Sequence, residues 1–155
     1  MTVVVRQMQA VDVNAVYAIE KEVQFHPWSL TQFQDAQQNY HSMVIDVDGE
    51  VRGFCILQPV LDEANLLLMA ISPKYQGQGL GYQLLEQSIN TLKNAPIQIF
   101  LEVRERNLAA IALYEKMAFH QIDMRKNYYP NQDGTREHAV IMVKACSDDF
   151  QSLFR

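Results

Sequence analysis

Apolar and polar positions along the chain change period several times, and each change marks an element. Val3 to Arg6 reads as a short first strand. Val13, Val16, Tyr17, Glu20 and Val23 then recur at helical spacing, with Asp12 as the expected N-cap. Ser29-Leu30-Thr31-Gln32 has the pattern of a capping box and predicts a second helix to about Gln38. Met43 to Val47 is rich in β-branched residues, meets the hairpin signal Asp48-Gly49, and continues as a strand from Glu50 to Gln58. Asn65 to Ile71 is almost continuously apolar, as a buried central strand would be.

Helical spacing returns with Leu80, Leu84, Leu85, Ile89 and Leu92. Ile97 to Val103 alternates again as a strand, and Asn107 is placed to cap a helix to about Met117. Strands from Phe119 to Tyr129 and His138 to Lys144 flank the turn-prone Pro130-Asn131-Gln132-Asp133-Gly134. The polar tail from Ser147 to Arg155 is expected to fray. The order βααβββαβαββ, without linker or repeat, predicts one mixed α/β domain over residues 1–155.

Composition narrows the function classes. The 155 residues are 48% apolar and 20% charged, and a chain of this length buries roughly 70% of its unfolded surface. Thirteen Lys and Arg against eighteen Asp and Glu give a net charge of -5, which argues against direct nucleic-acid binding and suits a cationic partner. Cys55 and Cys146 form no CxxC pair, and His26, His41, His120 and His138 show no ligand spacing. Neither a metal nor a disulfide framework is expected, and the cytoplasm is the default compartment. The N-terminus lacks a signal-peptide pattern, and the longest apolar run, Leu108 to Tyr114, is too short to span a membrane.

The most informative stretch is Gln76-Gly77-Gln78-Gly79-Leu80-Gly81, between a strand and a helix. Alternating glycines allow a tight turn, and their N–H groups, with those of the helix's first turn, form an anion site suited to a pyrophosphate. A turn that merely needs glycine is the plainer alternative. A P-loop would need Gly-Lys-Ser/Thr, and a dinucleotide fingerprint would need glycine where Tyr82 stands.

The spacing Gln76-x-x-Gly79-x-Gly81 resembles the coenzyme A pyrophosphate loop of the GNAT superfamily of N-acetyltransferases. Asn107-Leu108-Ala109-Ala110-Ile111-Ala112-Leu113-Tyr114-Glu115-Lys116 is similar to that superfamily's other signature helix. Pro27-Trp28-Ser29, Leu61-Asp62-Glu63-Ala64, Leu101-Glu102-Val103-Arg104 and Asn127-Tyr128-Tyr129-Pro130 resemble its RimI branch, bacterial acetylases of a ribosomal protein's N-terminal alanine. The resemblance implies a central, mostly antiparallel sheet flanked by helices and splayed between the fourth and fifth strands. It also implies acetyl-CoA as co-substrate and the basic N-terminal segment of a ribosomal protein as partner, for a chain expected to act as a monomer. Two residues depart from the pattern. Ala118 replaces the usual glycine before Phe119, at roughly 1 kcal/mol if that position is left-handed, and Arg106 replaces a serine.

Acetyl transfer to an amine needs a neutral amine, a polarised thioester carbonyl and a protonated leaving thiol. An α-amine with a pKa near 7.7–8.0 costs about 1 kcal/mol to deprotonate near neutrality, against roughly 4 for a lysine. Glu102 lies opposite the Ile97, Ile99, Leu101 and Val103 face of its strand. It reads either as a paired glutamate or as the proton acceptor that the resemblance assigns there. Tyr114 reads as a packing residue or, by resemblance, as the proton donor to the thiolate. Met69, Ala70 and Ile71 are expected to present backbone donors to the thioester, with Gln76 to Gly81 on the pyrophosphate and Asn107 both capping its helix and touching the coenzyme. Asp62 and Glu63 either attract a cationic N-terminus or belong to a solvated turn, and Trp28, Tyr128 and Tyr129 either line a peptide groove or pack. Other N-termini, lysines or small amines are alternative acceptors, and a non-catalytic coenzyme A-binding regulator is the alternative from another class.

Overall fold

The computed structural model describes residues 1–146, so the tail from Ser147 lies outside the described residues. The strands are β1 (Val3–Gln7), β2 (His41–Val47), β3 (Glu50–Val60), β4 (Glu63–Ile71), β5 (Gln98–Arg104), β6 (Phe119–Pro130) and β7 (Arg136–Ala145). The helices are α1 (Val13–Val23), α2 (Leu30–Asn39), α3 (Leu80–Asn90) and α4 (Leu108–Lys116). The strands form one mixed sheet in the order β1-β2-β3-β4-β5-β7-β6. The β1/β2, β2/β3, β5/β7 and β6/β7 ladders are antiparallel, and β4/β5 is parallel. The element order is the one that the hydrophobic pattern predicts.

The chain divides into two compact units. The first holds residues 1–58 and 67–93. Its core gathers Met8, Val13, Val16, Ile19, Phe33, Ala36, Val44, Phe54 and Ile56, so α1 and α2 turn their apolar stripes onto β2 and β3. The capping box forms as predicted: Gln32 N–H donates to Ser29 Oγ at 3.1 Å, and Ser29 N–H to Gln32 Oε1 at 2.8 Å. The Asp48-Gly49 hairpin also forms, both residues having positive φ as a type I′ turn requires. Asp12, by contrast, precedes α1 without capping it. Its carboxylate accepts the Gln9 N–H of the preceding 3₁₀ turn at 2.7 Å and pairs with Arg6 at 2.7 Å, a stronger use of a charged acceptor.

The second unit holds, among the described residues, 59–66 and 94–146. The β4/β5 ladder has four pairs, from Glu63↔Gln98 to Leu66↔Leu101. β4 therefore starts two residues before the apolar run, and its burial differs from the expectation. Ala64 and Leu66 are buried, but Leu67 to Ile71 are only half-buried. Apolarity alone does not distinguish a fully covered strand from one whose second half carries no pairs in this ladder. Leu92 is buried as predicted but lies beyond the end of α3. No helix among the described residues is long and apolar enough to cross a membrane.

Candidate active site

In the first unit, β4 delivers Met69, Ala70 and Ile71 to the glycine-rich turn. Gln76 Nε2 donates to the Ile71 carbonyl at 2.9 Å, which ties the turn back to the strand end. Gly77 and Gly79 sit at φ 77° and 80°, and nothing lies within 4 Å of where their Cβ atoms would be. The left-handed backbone makes glycine fit here, and the empty space leaves its face open. Gly79 is the N-cap of α3 and no side chain caps the helix; the first helical bond is Gln83 N–H to Gly79 O at 3.2 Å. The N–H groups of Leu80 and Gly81 therefore have no intrahelical acceptor and carry the positive end of the helix dipole. This exposed cradle fits a pyrophosphate such as that of coenzyme A.

Trp28 belongs to this unit and packs on Phe33, with ring centroids 5.4 Å apart. Its N–H donates at 3.0 Å to Glu20, whose carboxylate is 1% exposed. Burial raises the pKa of that carboxyl, and the Trp28 bond offsets part of the rise. The structure thus favours packing for Trp28.

In the second unit, β5 presents Glu102 on its exposed side, while Ile99, Leu101 and Val103 are buried on the other. Glu102 Oε1 is 3.3 Å from Arg125 Nη2. The Arg125 guanidinium lies 5.4 Å from the centroid of the Tyr128 ring, Tyr128 meets Tyr129 edge-on at 5.0 Å, and Arg104 covers Tyr129 at 4.6 Å. Burial, and after it the negative charge of Glu102, pushes the Tyr129 phenol up to about 12. Glu137, also buried, accepts from Arg104 Nη1 at 3.0 Å and from Arg106 N–H at 3.1 Å. Glu102, Tyr128 and Tyr129 are therefore one cluster, which Arg104, Arg125 and Glu137 complete. The sequence reading missed those three. The alternation of β5 and β7 could have flagged Arg104 and Glu137, whereas Arg125 depends on bulges in β6 that no pattern announces.

Asn107 caps α4, its Oδ1 accepting the Ala110 N–H at 3.3 Å. Tyr114 is 8% exposed, and its ring lies 5.9 Å from that of Phe119. Asp62 is exposed in the turn before β4, and Ile97 N–H donates to its carbonyl at 2.7 Å. Glu63 accepts from Gln98 Nε2 at 2.9 Å, so it is engaged within the sheet. Arg106 is exposed, and Ala118 is left-handed at φ 69°. Among the described residues no group of three or more His, Cys, Asp or Glu side chains is arranged to hold a metal.

Residues 13–119 match the model of the acetyltransferase (GNAT) family. The chain is 43% identical over 142 residues to the [ribosomal protein bS18]-alanine N-acetyltransferase of Haemophilus influenzae, covering 90% of this chain and 97% of that protein. It is equally identical over 141 residues to the Escherichia coli protein of the same name, covering 90% and 95%. The crystal structure of the ribosomal-protein-S18-alanine N-acetyltransferase from Escherichia coli superposes with a TM-score of 0.88 at 41% identity, covering 94% of this chain and 95% of that one. With a family model spanning both signature motifs and the fold to match, the chain belongs to the GNAT family, an N-acetyltransferase of the kind that uses acetyl-CoA.

Proposed function

We propose that the chain is a single acetyltransferase domain that acetylates the N-terminal alanine of ribosomal protein bS18 in the cytoplasm, acting as a monomer without a metal. Identity above 40% along nine-tenths of the chain to proteins named for that reaction carries this reading. The resemblance of the sequence around Glu102 and Tyr114 to the family's motifs, which implies an acid–base pair there, supports it.

Acetyl-CoA supplies the activated acetyl group. The N–H groups from Gln76 to Gly81 hold the pyrophosphate, Asn107 adds a coenzyme contact, and the backbone of Met69, Ala70 and Ile71 stabilises the thioester oxygen as negative charge develops on it. The short β4/β5 ladder and the half-buried second half of β4 support backbone donors there, as a splay between those strands would provide. Glu102 takes the proton from the acceptor's α-ammonium, directly or through a water. An α-amine already partly neutral near pH 7 makes that a modest task for a carboxylate. The neutral amine attacks the thioester carbon directly, the C–S bond breaks as Tyr114 Oη donates a proton to the departing sulfur, and the second proton lost by the nitrogen restores the phenol. Tyr128 and Tyr129 line the acceptor side beside Glu102, with Asp62 and Glu63 drawing in its positive charge and Trp28 supporting the loop before α2.

Mass spectrometry of a basic alanine-starting peptide, with an N-terminally blocked, lysine-containing twin, tests the reading. One acetyl gained by the free N-terminus alone is expected. Acetylation of the twin would move the assignment to lysines, and no product from either would overturn the acceptor assignment.

A further inference from the structure

The β6/β7 hairpin pairs regularly at both ends but not in the middle. Between Arg125↔Ala139 and Tyr129↔Glu137, the three residues Lys126, Asn127 and Tyr128 stand opposite the single residue His138. A bulge of two surplus residues takes backbone groups out of the ladder and leaves them in need of other partners. Here side chains of β7 supply them. Asn127 N–H donates to His138 Nδ1 at 3.0 Å. The carbonyls of Asn127 and Tyr128 accept from Arg136 Nε at 2.8 Å and Nη2 at 3.0 Å.

Asn127 takes a left-handed φ of 53°, which asparagine tolerates better than most residues. That turn determines how the next side chains leave the strand. Tyr128 lies against Arg125, Tyr129 lies under Arg104, and Arg125 reaches Glu102. We propose that His138 is a positioning residue for acetyl transfer, holding the Asn127 bulge so that Tyr128, Tyr129 and Arg125 stay arranged around Glu102. The proposal rests on the reading of Glu102 and its neighbours as the acceptor side. The bond requires Nδ1 to be the unprotonated nitrogen, because an imidazole nitrogen that carries a proton cannot accept.

Two substitutions separate the acceptor atom from the bulk of the ring. His138→Asn keeps a short side chain with an amide oxygen that can accept, and His138→Leu fills the space with nothing that accepts. The leucine variant is expected to raise the KM for an alanine-starting peptide by roughly fivefold, the effect of one lost neutral hydrogen bond, with the KM for acetyl-CoA unchanged. The asparagine variant should stay within about twofold of wild type, since its oxygen restores the bond. Hydrogen exchange should find the Asn127 amide protected in the wild type and the asparagine variant and open in the leucine variant. His138→Ala repeats the comparison if the leucine variant does not fold.

A wild-type peptide KM in the leucine variant overturns the role of His138, and so does an asparagine variant as impaired as the leucine one. Protection of the Asn127 amide in the leucine variant overturns it as well. A wild-type protein that turns over no alanine peptide overturns the acceptor reading itself, a result distinct from normal turnover that His138 does not influence.

Discussion

The proposed mechanism gives Glu102 and Tyr114 opposite proton duties, and the two residues have different surroundings. Glu102 is on the exposed side of its strand beside a cation, where a carboxylate can exchange protons with water and substrate. Tyr114 is buried against Phe119, where a phenol is held in one place. Glu102→Gln should lower kcat by about 10²- to 10⁴-fold near neutral pH. The deficit should shrink as the pH is raised past the α-amine's range of roughly 7.7–8.0, where the amine loses its proton unaided. Tyr114→Phe should lower kcat while titration calorimetry finds acetyl-CoA affinity unchanged; a large loss of affinity would make the tyrosine structural. Ala118 is a different case, since it is exposed, left-handed and just past the end of α4. Ala118→Gly should stabilise the chain by about 1 kcal/mol, because the strain of a Cβ at positive φ is removed and no packing is lost. For a chain of this length that is a rise in Tm of roughly 2–4 °C, and no rise would mean that the strain is negligible.

The segments from α1 to the start of α3 show what the sequence made legible and what it did not. The capping box of α2 and the Asp48-Gly49 hairpin are local devices, each complete within four residues, and both formed where the pattern put them. The glycine-rich turn is local too, so a tight turn there is readable from residue types alone. Glu20 was read only as part of a helical stripe. That its carboxylate folds inward to hold the Trp28 N–H eight residues later depends on the path of the intervening loop. The bulges of β6, and with them the place of Arg125, depend on register against β7 and leave no periodic trace. Glu20 also gives this region a pH dependence. Burial raises its pKa in the folded state, so its contribution to stability is fully present below the unfolded carboxyl's value and is lost as the pH rises through the raised folded value. Glutamine has no proton to lose. The stability of the wild type relative to Glu20→Gln should therefore fall as the pH is raised from below the ordinary glutamate value near 4.3 to well above it. Urea midpoints at the two ends measure it, and a difference independent of pH would mean that Glu20 titrates alike in both states.

A net charge of -5 and the proposed basic N-terminal acceptor make a long-range prediction that no single contact makes. A negatively charged protein draws a polycationic peptide toward itself and raises its encounter rate, and the attraction weakens as the Debye length shrinks from about 30 Å at 0.01 M salt to about 3 Å at 1 M. The kcat/KM of a basic alanine-starting peptide should therefore fall steeply with ionic strength. A neutral alanine-starting peptide should barely respond, and kcat at saturation should hold for both, because steering acts before the chemistry. Asp62 and Glu63 divide this effect unequally. Glu63 is committed to Gln98, whereas the Asp62 side chain is exposed in its turn. If local attraction adds to the overall charge, Asp62→Asn should flatten the salt dependence more than Glu63→Gln does, with kcat unchanged in both. Equal salt curves for the two variants and the wild type would leave the net charge alone responsible. A parallel loss for basic and neutral peptides would mean that salt acts on the protein's own structure and not on the approach of its substrate.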